Sequence, residues 1–466
     1  MSLEGAVPAS SRGLCWNTGN GPTFAPLDVG HPVYLAVVEP ETAFWALVRK
    51  DELGSAVAEG GLLERYRARR EAMAGEMHAL RFGSRPAAVY FNPTERCNLD
   101  CSYCYLPADA RRKGVEMSPA RLLQALGTLR EHFAQTLPPG TRPEIVFHGA
   151  EPLISREAIF EAIDAFRGDF VFAVQTNGTL LDEAAAEFLT SRGISIGLSL
   201  DGDVADVADR TRKDWAGRGI SAKVRRALEL LRGYPAHSVI CTMTTENVRS
   251  LPRIVERFHA LEIPVCMLNP VRCTQPGGRD LKPADHDLAP RFLEALDRSF
   301  ELYQETGRKL VVANFANTLL AIVAPTARRL MCDISPCGAG RCFFAVSAAG
   351  DVYPCSEFLG LPEFRGGNLF AGGVAAALGS PAFARVTSRT VDRIESCSRC
   401  SIRNYCGAPC PAEAHAAAGS LERPGAFCEL YEEQVRYAFR RIAEGNEGAF
   451  LWDGWDDGLA TTLTLA

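Results

Sequence analysis

Between residues 87 and 270, apolar runs of strand length alternate with helical stretches, six times over. The expected strands are 88–92, 144–148, 170–175, 194–200, 238–243 and 264–269. One helix opens at Ser118-Pro119, with Leu122, Leu126, Leu129 and Phe133 on one face. Ser caps a helix and Pro suits its first turn. Ile159, Ile163 and Phe166 mark the next helix, and Asp182 caps a third. Val224, Leu228 and Leu231 mark a fourth, and Leu251, Ile254, Phe258 and Leu261 a fifth. Strands that alternate with helices build a parallel sheet. Six apolar strands suit a partial (β/α)6 barrel of the TIM kind, in an α/β fold. Sites on such sheets sit at the C-terminal ends of the strands.

The rest of the chain divides around this unit. Residues 1–85 are expected to form a small α+β unit: 1–30 are rich in Gly, Pro and Ser and loosely held, and 33–49 read as two strands around a turn. The barrel takes 86–310, with 272–287 as a linker and a helix around 291–306. A cysteine-rich domain takes 311–445, with a helix at 429–444, and 446–466 form a tail without an assignment.

Sixteen cysteines in 466 residues are the compositional outlier. Disulfide scaffolds are usually short, and clustered thiols in a long chain are more often metal ligands. Cys97, Cys101 and Cys104 stand directly after the first barrel strand, and eight more fall between Cys337 and Cys428. Cys15, Cys241, Cys266, Cys273 and Cys332 form no tight motif. A 4Fe–4S cube normally takes four ligands. Three thiols leave one iron open, as a catalytic metal requires. Zinc is the alternative for both cysteine fields. The net charge of −6 argues against nucleic acid and anionic membranes as general partners. No run of about 18 apolar residues suggests a membrane span. The first residues lack a secretory pattern. A cytoplasmic protein is expected.

Cys97-x-x-x-Cys101-x-Tyr103-Cys104 resembles the signature of the radical S-adenosylmethionine (SAM) superfamily. Four further segments match that family in order. His148-Gly149-Ala150-Glu151-Pro152 resembles its Gly-Gly-Glu-Pro motif, which binds the cofactor's amino group, with Ala150 in place of the second glycine. Asn177, in Gln175-Thr176-Asn177-Gly178, stands at the family's polar strand end. Ser199 and Asp201, in Ser199-Leu200-Asp201-Gly202, resemble the ribose-side motif. Arg212 takes the place of an arginine that pairs with the cofactor carboxylate, while the family's preceding histidine is Ala208 here. The resemblance spans about residues 86–270 and implies SAM as cofactor, chelated to the open iron and cleaved to a radical that abstracts a substrate hydrogen. Tyr103, Gly149, Ala150, Glu151, Asn177, Ser199, Asp201 and Arg212 are the implied cofactor contacts.

The second field is similar to the SPASM extension of that superfamily, which holds two auxiliary 4Fe–4S clusters. By that pattern Cys337, Cys342, Cys355 and Cys410 bind one cluster, and Cys397, Cys400, Cys406 and Cys428 the other, giving three clusters in all. Cys332 competes with Cys337. Members with this extension mostly modify peptides or proteins. The implied reactions are thioether formation from a cysteine, carbon–carbon crosslinking, and oxidation of Cys or Ser to formylglycine. Sulfatase-maturing members carry an Asp directly after the cysteine equivalent to Cys355, where this chain has Ser356 and then Glu357. Serine is a poor base, and Glu357 is expected to be exposed, so thioether formation leads. A zinc or iron–sulfur scaffold without catalysis is the other class. The expected partners are a peptide or protein substrate and a reductase, flavodoxin or ferredoxin as electron donor. The N-terminal unit is either a module that adds a precursor peptide as an extra strand or a cap on the barrel.

Overall fold

The computed structural model describes residues 16–17, 21–58, 61–328, 332 and 334–455. Cys15 and the end of the tail lie outside them. Four antiparallel strands come first, in sequence order: β1 (Trp16–Asn17), β2 (Thr23–Leu27), β3 (Tyr34–Glu39) and β4 (Phe44–Arg49). β2 corrects the expectation of a loosely held start, because Phe24, Ala25 and Leu27 are buried. Pro26 obscured its strand pattern.

Alternation sends the two faces of this sheet to different cores. Phe24, Leu35, Val37, Phe44, Ala46 and Val48 pack with Leu62 and Tyr66 of the helix Gly61–Phe82. Leu27, Ala36 and Val38 join the main core. Trp45 Nε1 donates to the Ile322 carbonyl at 2.8 Å. The turn after β3 docks on the segment before Cys406. Asn404 Nδ2 donates to the Pro40 carbonyl at 2.7 Å, the Tyr405 hydroxyl donates to the Ala43 carbonyl at 2.8 Å, and Arg403 pairs with Glu41.

The main sheet has ten strands. Its centre is β5 (Ala88–Phe91), β6 (Glu144–Phe147), β7 (Val171–Thr176), β8 (Ser195–Ser199), β9 (His237–Met243) and β10 (Val265–Pro270), all paired in parallel in sequence order. This is the expected α/β partial barrel. Helices cover one side. Ser118 caps Pro119–Thr136, accepting from Arg121 N at 3.4 Å, and Asp182 caps Glu183–Ser191, accepting from Ala185 N at 2.9 Å. Val89, Phe91, Phe147, Val174, Leu198 and Leu268 are fully buried toward the core, each contributing about 1.5–3 kcal/mol. The alternate residues Tyr90, Gln175, Ser199, Thr242, Met267 and Asn269 line a cavity instead.

Beyond β10 lies β11 (Val311–Val312). On the other flank, β12 (Phe343–Val346) from the cysteine-rich region pairs in parallel with β5, followed by β13 (Asp351–Tyr353) and β14 (Gly367–Asn368) in antiparallel. The expected linker also differs. It holds a short helix, Pro276–Asp280, and the start of the long helix Asp285–Thr306. That helix runs through Pro290, losing one backbone bond. Asp285 and Asp287 favour its N-terminal turn. None of the described helices is long and apolar enough to cross a membrane.

Candidate active site

The cavity at the C-terminal ends of the barrel strands has a volume of about 330 Å³. Cys97, Cys101 and Cys104 line it, with Tyr103, Gly149, Ala150, Asn177, Ser199 and Arg212. Two of the expected contacts, Glu151 and Asp201, lie behind its wall.

The cysteine loop is tied down from outside. Asp100 N and Ser102 N donate to the carbonyls of Lys213 and Thr211, at 2.8 and 3.0 Å. Trp215 Nε1 donates to the Cys97 carbonyl at 2.9 Å, and Arg111 Nη1 to that of Leu99 at 3.0 Å. Burial pushes the Cys97 thiol up to about 12 and that of Cys104 up to about 11. Such thiols ionise when a metal cation displaces their protons.

Glu151 is fully buried, and burial raises its pKa. Its carboxylate accepts from Asn177 N at 2.8 Å, the Thr176 hydroxyl at 2.7 Å and Leu153 N at 3.0 Å. It fixes the end of β7, and Asn177 Nδ2 then reaches Asn98 of the cysteine loop at 2.9 Å. Asp201 has both oxygens engaged, with the Tyr103 hydroxyl at 2.5 Å and Thr242 N at 2.8 Å. Arg212 Nη1 donates to the same Tyr103 oxygen at 2.6 Å. Gly149 has φ +105, and a Cβ there would stand 2.2 Å from Asn92 Oδ1. Only glycine fits that backbone and that approach.

The facing wall comes from the cysteine-rich region: Cys332, Phe343, Cys355, Ser356 and Glu357. Glu357 is therefore not exposed as expected. Burial pushes its carboxyl up to about 7, against the pull of Arg272, whose Nε lies 4.0 Å away. Thr274 donates to Glu357 Oε2 at 3.3 Å, and Arg272 also faces Glu413 at 3.7 Å. His148 Nδ1 is 3.4 Å from Ser356 Oγ, and burial pushes this imidazole down to about 4, so it is neutral near pH 7.

Cys397, Cys400, Cys406 and Cys428 surround a second pocket, with Phe427 and Tyr431. Cys355 lies near Cys337 and Cys410, whose charges raise its pKa beyond the effect of burial, and Cys342 lies near Cys337. Cys332 also acts on Cys355, and its residue is exposed. Cys241 and Cys266 are fully buried on the strand faces opposite the cavity, as small core residues are. Among the described residues no three His, Cys, Asp or Glu side chains gather as ligands of a single ion would. The thiols of a cube bind separate irons and stand further apart.

The family model for the radical SAM superfamily matches residues 91–258, and that for the SPASM iron–sulfur cluster-binding domain matches 337–401. The chain is a radical SAM enzyme. It is 42% identical over 408 residues to an uncharacterized protein of Archaeoglobus fulgidus, covering 87% of this chain and 92% of that one. It is 25% identical over 379 residues to the cysteine-type anaerobic sulfatase-maturating enzyme of Clostridium perfringens (strain 13 / Type A), covering 77% and 97%. Native anSMEcpe with bound AdoMet and Cp18Cys peptide has the same fold, with a TM-score of 0.66, 22% identity, and coverage of 78% and 99%.

The residues present suit the radical SAM cofactors. Three thiols on one loop face a cavity large enough for a small molecule. Both amide atoms of Asn92 and the Arg212 Nε are buried without a protein partner. Buried polar atoms of that kind call for a partner such as a water, an ion or a bound ligand. The motifs did not reveal Asn92, Arg272 or Trp215 as parts of this radical SAM site, and His148 stood within one of them without an assigned role. For Glu357 the signal was present, one residue past Ser356, but its burial depends on Arg272 and Glu413, far away in the chain.

Proposed function

We propose that this radical SAM/SPASM enzyme carries three 4Fe–4S clusters and oxidises a cysteine-containing peptide or protein, with thioether formation as the leading reaction. One observation carries the reading: Cys97, Cys101 and Cys104 share a single cavity with Cys355, Ser356 and Glu357 of the SPASM region. A substrate side chain in that cavity lies between a catalytic and an auxiliary thiol set. The strand ends and Arg212 would hold SAM beside Cys97, Cys101 and Cys104, where it would supply the chemistry of hydrogen abstraction. The protein's own part is to hold the side chain, exclude water and receive a proton. Tyr105, Tyr90 and His148 form the aromatic side of the cavity.

The thioether reading rests on Ser356 in place of an aspartate. Cys337, Cys342, Cys355 and Cys410 are the proposed ligands of one auxiliary cluster, and Cys397, Cys400, Cys406 and Cys428 those of the other. The electron donor in this reading is a flavodoxin, a ferredoxin or a reductase, and the setting is the cytoplasm.

A second reading is formylglycine formation, favoured by the inward position of Glu357. A carboxyl near 7 is poised to take a proton at neutral pH. Both reactions remove two hydrogens from the peptide, and they differ in the fate of sulfur. Mass spectrometry of a cysteine-containing precursor after anaerobic turnover separates them. A thioether keeps sulfur and loses the alkylatable thiol. Formylglycine loses sulfur and gains a carbonyl. Release of 5′-deoxyadenosine without any change in candidate peptides would count against both.

A further inference from the structure

Arg389 is buried, with 2% of its surface exposed. Its guanidinium donates to four backbone carbonyls: Leu421 at 2.7 Å, Ala408 at 2.7 Å, Arg423 at 3.0 Å and Pro336 at 3.4 Å. These carbonyls belong to the segments that carry both auxiliary thiol sets. Pro336 precedes Cys337, Ala408 lies between Cys406 and Cys410, and Leu421 and Arg423 lead into Cys428. Burial disfavours the Arg389 charge, and the thiols of Cys337, Cys410, Cys397 and Cys406, two from each set, act in the opposite direction. A buried cation needs a counter-charge. Carbonyl dipoles satisfy its N–H groups but supply no net charge. The thiolates of both sets are the anions in reach.

Arg341 is a built-in contrast. It is also buried, with 2% exposed, and donates to the carbonyls of Cys337, Leu80 and Ser335. Only Cys342 and Cys337, from one set, act on it.

We propose that Arg389 is a positioning residue common to both auxiliary clusters, whose single buried cation ties their ligand loops together and raises their two reduction potentials in concert. The inference rests on the three-cluster reading above. The physical reason is charge. One added electron makes a thiolate-ligated cube more anionic by one charge, and a nearby cation stabilises that form. Net charge and hydrogen bonding are the levers that set such potentials. A cation between two clusters acts on both, so its removal should lower both potentials together.

The test uses the full-length enzyme, reconstituted anaerobically, with redox titration followed by electron paramagnetic resonance. Wild-type iron of about twelve per chain, four per cube, establishes the three-cluster reading; a markedly lower count sinks that reading, whatever Arg389 does. In Arg389→Gln both auxiliary signals are expected at lower potential, with the cluster on Cys97, Cys101 and Cys104 unmoved. Arg389→Lys keeps the charge and should keep both potentials close to wild type. Arg341→Gln should move one auxiliary signal alone. With iron complete, a shift of one signal only, or of neither, in Arg389→Gln overturns the proposal. If Arg389→Gln loses iron, Arg389→Lys decides: full iron with paired potentials supports the inference, and equal iron loss leaves a purely structural role and overturns it.

Discussion

The Tyr103 hydroxyl donates to Asp201 Oδ2 over 2.5 Å. Because Arg212 donates to the same hydroxyl at 2.6 Å, the aromatic residue of the cysteine motif joins the cluster loop to the end of β8 and to the proposed carboxylate anchor. Tyr103→Phe would strip a partner from an aspartate that is 1% exposed. The expected cost is about 1–3 kcal/mol of stability, read by thermal denaturation. Loss of the hydroxyl also frees Arg212, so SAM affinity should fall roughly tenfold, about 1.4 kcal/mol, with iron content unchanged. Equilibrium dialysis with unaltered affinity would leave Tyr103 a scaffold residue only.

Gly149→Ala is expected to be worse than its size suggests. The new methyl would meet Asn92 Oδ1 at 2.2 Å, in a backbone conformation of φ +105. Strain of this kind costs about 1–3 kcal/mol. Asn92→Ala in the same chain removes the Oδ1 and Cγ clashes, leaving the residue's Cβ at 3.0 Å, but not the dihedral strain. The double variant should therefore recover part of the lost stability, and coupling between the two sites is the quantity to measure. Strict additivity of the two single changes would rule out the contact as the cause.

His148 makes a pH prediction. Burial lowers its pKa to about 4 from an ordinary value of 6.5. Between these values the unfolded chain holds more protons than the folded one, so stability is fully present above pH 6.5 and declines as the pH falls toward 4. The decline amounts to roughly 3 kcal/mol. His148→Gln should lack this component. Urea unfolding of both proteins from pH 7 down to 4 gives the difference, and parallel curves would show that the imidazole is not held neutral.

Cys400→Ala separates the thiol sets. Cys400 lines the pocket shared with Cys397, Cys406 and Cys428. The variant should lose about four irons, the content of one cube, and keep SAM cleavage at the first cluster. Unchanged iron would remove Cys400 from the ligand set.

The six barrel strands were legible because each needs only its own apolar run, and the periods of strand and helix differ. The cap residues Ser118 and Asp182 act within three residues of themselves and were legible for the same reason. What escaped depends on distant partners. The pairing of β12 with β5 joins Phe343 to Ala88, and no local pattern announces it. The long helix was expected around 291–306 and starts at Asp285, ahead of Pro290. Glu357 looked like a surface residue until Arg272, Thr274 and Glu413 closed around it. At the site, the three thiols were readable by spacing and the glycine by its resemblance to a family motif. The diversion of Glu151 and Asp201 to holding strand ends rather than facing the cavity was not, since it is set by hydrogen bonds between strands.

The docking of the Pro40–Ala43 turn on Asn404 and Tyr405 bridges 364 residues of chain between Asn404 and Pro40. During translation that contact must wait until nearly the whole polypeptide has emerged. The early sheet therefore leaves the ribosome with one face uncovered, and the loop around Cys406 acquires its support only near the end of synthesis.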